Sequence, residues 1–81
     1  MNDSELINAI DLALNKRWDE AHQIVQQYED ENASWIHAVL HKIEGDMDNS
    51  RYWYRRAGKM QHASEVAERE LQTIKSLLGK A

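Results

Sequence analysis

Nothing in this chain interrupts a helix for long. Its 81 residues contain no proline, and only Gly45, Gly58 and Gly79 are glycines. Those two residue types end helices and make the tight turns of β-sheets, so their scarcity permits long helices and disfavours a many-turned β architecture. Helix-favouring Ala, Leu, Glu, Gln, Lys and Arg dominate what remains.

Apolar spacing predicts five helices. The first spans about 4–15, capped by Asp3 or Ser4, with Leu6, Ile10, Ala13 and Leu14 on one side. The second spans about 17–28 and buries Trp18, Ala21, Val25 and Tyr28. After the polar break 29–32, a third helix over about 33–44 buries Trp35, Val39 and Ile43, with Ile36 and Leu40 beside them, and stops at Gly45. A fourth follows a cap at Asp46 or Asp48, turning Trp53, Tyr54, Ala57 and Met60 inward and ending near Gly58. The fifth, about 64–78, carries Ala63, Ala67, Leu71, Ile74 and Leu78 in one arc widened by Val66 and Leu77.

A chain this short makes one domain, 1–81, which buries roughly 60–65% of the surface exposed when unfolded, so its core is thin. With no cysteine there is neither a disulfide nor a thiolate metal site to reinforce it, which suits a reducing, cytoplasmic setting. The N-terminus has no secretory pattern, and no apolar run approaches the ~20 residues that span a bilayer. A net charge of −4 disfavours nucleic acid as a partner.

A shift of 29 residues superposes Ile7 on Ile36, Ala9 on Ala38, Ile10 on Val39 and Leu14 on Ile43. The same shift carries Lys16-Arg17-Trp18-Asp19 onto Gly45-Asp46-Met47-Asp48, Ala21 onto Ser50, and Ile24-Val25 onto Trp53-Tyr54. Each unit reads as helix, tight turn, helix. Neither hairpin buries its apolar face alone, so the expected fold is all-α: two stacked helix-turn-helix hairpins with the C-terminal helix capping the open end. Arg17-Trp18-Asp19-Glu20-Ala21 resembles the turn of a tetratricopeptide-like repeat, and the segment from Gly45 to Gly58 resembles both that turn and the Trp-Tyr-Arg-Arg-Ala signature of Sel-type repeats. From Trp18 to Gly58, about half the chain, the sequence is similar to a group of small uncharacterised bacterial proteins. The features shared with that group are Trp18-Asp19 with Ala21-His22, Trp35-Ile36-His37-Ala38 with Leu40-His41, Glu44-Gly45-Asp46, and the run Tyr52 to Gly58. The resemblance implies a fold and carries no activity with it. The 29-residue offset is shorter than the usual 34 or so of tetratricopeptide repeats, and Ser50 stands where they carry alanine.

Two clusters bear chemistry. His37, His41 and Glu44 follow i, i+4, i+7 and share a helix face opposite Trp35, Val39 and Ile43, a candidate zinc or copper triad. His22, at the edge of the second helix's apolar face, is placed to approach it from an antiparallel neighbour. The built-in general base of a His-Glu-x-x-His motif is missing. Arg51, Arg55 and Lys59 form a basic stripe with Tyr52 beside it and Arg56 and Lys42 nearby, suited to an acidic peptide, a phosphate or RNA. No nucleophile–base arrangement and no Gly-rich phosphate loop is present, so no enzyme activity and no organic cofactor is expected.

The leading expectation is a non-enzymatic module for a protein or peptide partner. Its groove would be lined by Asn8, Asp11 and Asn15 of the first helix and His37, His41 and Glu44 of the third, with Arg51, Tyr52 and Arg55 as further contacts. The alternatives are a metal-binding protein using His37, His41, Glu44 and His22, and a structural subunit that self-assembles as a homodimer through its C-terminal helix.

Overall fold

The computed structural model describes residues 3–79; Met1, Asn2, Lys80 and Ala81 of the expected 1–81 domain lie outside the described residues. The fold is all-α: α1 (Asp3–Leu14), α2 (Trp18–Val25), α3 (Glu31–Ile43), α4 (Met47–Ala57), a 3-10 turn at Met60–His62, and α5 (Ala67–Leu78). No described helix is long and apolar enough to cross a membrane.

The hairpins α1/α2 and α3/α4 close through turns of one design. After α1, Lys16 takes a left-handed backbone (φ 64°), Lys16 N–H donates to Ala13 O at 3.0 Å, and Arg17 N–H donates to Leu12 O at 2.9 Å. After α3, Gly45 (φ 83°) donates to Lys42 O at 3.0 Å and Asp46 to His41 O at 3.0 Å. These are the two bonds that satisfy the last carbonyls of a helix in a left-handed stop, and Gly58 (φ 69°) ends α4 likewise. Asp30 and Asp46 cap α3 and α4, accepting from Ala33 N–H and Asn49 N–H. The bonds from Asn49, side chain first and then backbone, hold the Asp46 carboxyl below its usual range.

The boundaries differ from the apolar spacing in places. Asp3 and Ser4 lie inside α1 and so do not cap it. α2 stops at Val25, short of Tyr28, whose hydroxyl donates to Glu5 on α1. Asp30 starts α3 two residues earlier than expected, because a carboxylate at that position satisfies the first free N–H groups. The expected start of α5 is taken up by the 3-10 turn and the bend after it.

α3 is central, packing against α1, α2, α4 and α5, so that every residue from Ala33 to Leu40 is buried. It was expected to keep one polar face in solvent. Its core partners are Leu6, Ala9, Ile10, Ala21, Val25, Tyr54, Leu71 and Ile74. Four apolar residues expected inside are not. Trp18, the first residue of α2, is 38% exposed; Met60 is outside because α4 ends before it; Val66 is 63% exposed ahead of α5, and Leu77 also faces out.

α5 does not cap the end of the stack. It lies against both α1 and α3, where Lys75 Nζ meets Asp11 Oδ1 at 2.7 Å and where Glu70 enters the core. Glu70 accepts from Trp35 Nε1, from the Tyr54 hydroxyl and from Lys42 Nζ, each at 2.7 Å. Lys42 also donates to the carbonyl oxygens of His62, Ala63 and Glu65, fixing the segment that leads into α5. Burial, and then the bond to Glu70, push the Tyr54 phenol well above its usual range, so it remains a donor. Ser50, in place of an alanine, buries its hydroxyl by donating to Ala38 O at 2.8 Å.

Candidate metal centre

His37 and His41 leave the buried middle of α3 on the side that faces α2, one helical turn apart. Their rings stack with centroids 5.0 Å apart. His22 comes from α2, its ring edge-on to both, at 4.5 Å from His37 and 5.3 Å from His41. One ring nitrogen from each of the three histidines lies within 4.8 Å of the other two. The Nε2 atoms of His22 and His37 share a hydrogen bond of 2.7 Å. From α4 the indole of Trp53 stacks on His37 at 3.9 Å, and the Arg56 guanidinium lies over that indole at 5.1 Å.

His37 is only 6% exposed. Burial first, then the neighbouring His22 and His41, lower its pKa to about 3. It is therefore neutral at pH 7, the form of imidazole that offers a lone pair to a metal. His41 Nδ1 is buried and makes no hydrogen bond, although Glu44 Oε1 is 3.2 Å away and Asp46 Oδ2 3.9 Å. Three imidazole nitrogens from two helices facing one another form a donor set that suits a bound cation.

The expected triad is altered in one member. His37 and His41 belong to the cluster, and His22 joins them across the α2–α3 contact. Glu44 does not: as the residue that ends α3 it lies beside His41 Nδ1, half exposed. A carboxylate there is the usual outer partner of a metal-bound histidine.

The expected groove is divided. Asp11 faces α5, Asn15 folds back to donate to Asp11 O at 2.8 Å, and Asn8 is exposed on α1. His37 and His41 meet α2 and α4 instead, and His37 is closed to solvent. The basic stripe is also shorter than the spacing suggested. Arg51 pairs with Asp48 at 2.7 Å and Arg55 is exposed, but Lys59 lies beyond the end of α4 and reaches Glu31 at 3.1 Å. Lys42 is turned away to Glu70, and Tyr52 accepts from Arg56 at 3.2 Å. Glu70 and Trp53 were not foreseen as neighbours of these clusters. Glu70 falls on the inner arc of α5, three residues after Ala67 and four before Ile74, a signal available in the sequence. No protein-family model matches the chain, and no curated protein or solved structure matches it.

Proposed function

We propose that the protein binds one borderline divalent transition metal, zinc or copper, at His22, His37 and His41. The observation that carries this reading is the convergence of three imidazoles from two helices to within 4.8 Å. Imidazole donors suit zinc and copper and are poor partners for magnesium or calcium. Two nitrogens on one tetrahedral zinc lie roughly 3.3 Å apart, given Zn–N bonds of about 2.0–2.1 Å. The His22–His37 pair at 2.7 Å therefore opens by a fraction of an ångström, and the donor ring shifts its proton to the other nitrogen.

This reading stands ahead of the peptide-binding module because α5 packs across α1 and α3, the helices meant to line that groove. Titration of the metal-free protein with Zn2+ at pH 7.5, followed by calorimetry, tests it. One equivalent should bind to the wild type, and His37→Gln should bind at least about tenfold more weakly, while circular dichroism stays unchanged. Undiminished one-to-one binding by His37→Gln would remove the site.

A further inference from the structure

We infer that the metal is cargo: it is exchanged through the coordination position that three histidines leave unfilled, and His22 is the ligand that lets go first. This rests on the metal reading above and adds what the site is for.

Among the described residues the cluster supplies three donors, and neither of the carboxylates near His41, Glu44 and Asp46, belongs to it. Zinc sites that only hold a fold together are closed by four protein ligands, whereas three ligands leave a place for an incoming donor. An incoming imidazole or thiolate of an acceptor binds there, and one protein ligand then leaves, so the ion is never without ligands.

The fold is secured elsewhere. The core around α3, the two matched turns and the Glu70 network involve none of the three imidazole side chains; His41 enters the second turn through its backbone carbonyl alone. Two of the three rings also have each other as partners, since the Nε2 atoms of His22 and His37 share a hydrogen bond of 2.7 Å. With one ring as donor and the other as acceptor, that contact gives the two nitrogens a partner that does not require an ion. Sites on which folding depends have no such alternative.

The three ligands are not held equally. His37 and His41 sit on the central helix, whose residues from Ala33 to Leu40 are buried. His22 sits on the shortest α-helix, eight residues, which has no side-chain cap at its start and begins with the exposed Trp18. A short uncapped helix opens more readily than a central one. The α3 pair therefore keeps the ion while α2 yields.

The test uses the full chain loaded with one equivalent of Zn2+ and mixed with excess 4-(2-pyridylazo)resorcinol in a stopped-flow instrument. Transfer is expected within seconds, at a rate that rises in proportion to the chelator concentration, with helix content at 222 nm unchanged. His22→Gln, which can still hydrogen-bond to His37, should transfer roughly tenfold faster, since affinity lost at one site appears mainly in the off-rate. A rate independent of chelator, transfer that takes hours, or loss of helix as zinc leaves would each overturn the cargo reading while keeping the metal site. Failure to load zinc in the preceding dialysis would overturn both. The chelator dependence is read on the wild type, so the result does not hang on the folding of any variant.

Discussion

At Glu70 a carboxylate with no exposure to solvent meets an indole N–H, a phenol and an ammonium. Such a group is costly to bury, and three short bonds offset that cost only while all the partners are present. Glu70→Ala should cost about 3–5 kcal/mol in urea unfolding, because it leaves the mostly buried Lys42 charge without its counter-ion and the Trp35 N–H without its acceptor. Adding Lys42→Met to Glu70→Ala should recover part of that loss, and simple additivity of the two would show that the pair is not coupled. Ser50 is a milder case. Its hydroxyl makes one buried bond to a carbonyl of α3, and Ser50→Ala should cost about 0.5–1.5 kcal/mol in the same measurement. Glu70 was legible as an inward residue, since it lies within the α5 arc, whereas Lys42 was expected beside the basic stripe although it is seven positions after Trp35. That the two meet was not legible. Helical periodicity assigns a face, and the partner comes from packing between segments 28 residues apart.

The same distinction holds for whole elements. The five helices follow from apolar spacing; glycine chemistry stops two of them at Gly45 and Gly58, and aspartate caps start two at Asp30 and Asp46. The path of α5 across α1 and α3 did not follow, because an apolar arc fits the end of a stack as well as its side. Nor did the burial of His37, which depends on α2 and α4 closing on a polar face of α3. The approach of His22 to that face was legible, because short connections bring consecutive helices together antiparallel. The paired turns supply a test at this scale. Lys16 holds the same left-handed backbone as Gly45 but carries a Cβ, which costs about 1 kcal/mol or more there. Lys16→Gly should therefore stabilise by roughly 0.5–1 kcal/mol after the extra freedom of glycine in the unfolded chain is counted. Gly45→Ala should destabilise by about 1 kcal/mol, and since nothing lies within 4 Å of the added Cβ, the loss is conformational. Equal signs for the two changes in thermal unfolding would contradict the common turn.

For the molecule as a whole, the histidine cluster makes stability depend on pH below neutrality. His37 faces His22 from α2, His41 from its own helix and Trp53 from α4, with Glu44 and Asp46 beyond His41. Its pKa falls from 6.5 unfolded to about 3 folded, mainly through burial. The unfolded chain thus binds the proton first, so this contribution is fully present above pH 6.5 and is lost as pH falls toward 3. At one proton the slope is about 1.4 kcal/mol per pH unit, or roughly 2 kcal/mol by pH 5. That is a large share of the roughly 4–12 kcal/mol that typical stability per residue gives a chain of this size. Carboxylates also titrate in this range, so the quantity to measure is the difference between wild type and His37→Gln, in urea with a chelator present. The wild type should lose its advantage over His37→Gln steadily from pH 6.5 downward, by roughly 2 kcal/mol at pH 5. A constant difference across that range would mean that His37 is not held neutral in the folded protein, and would take away the preformed lone pair on which the metal centre depends.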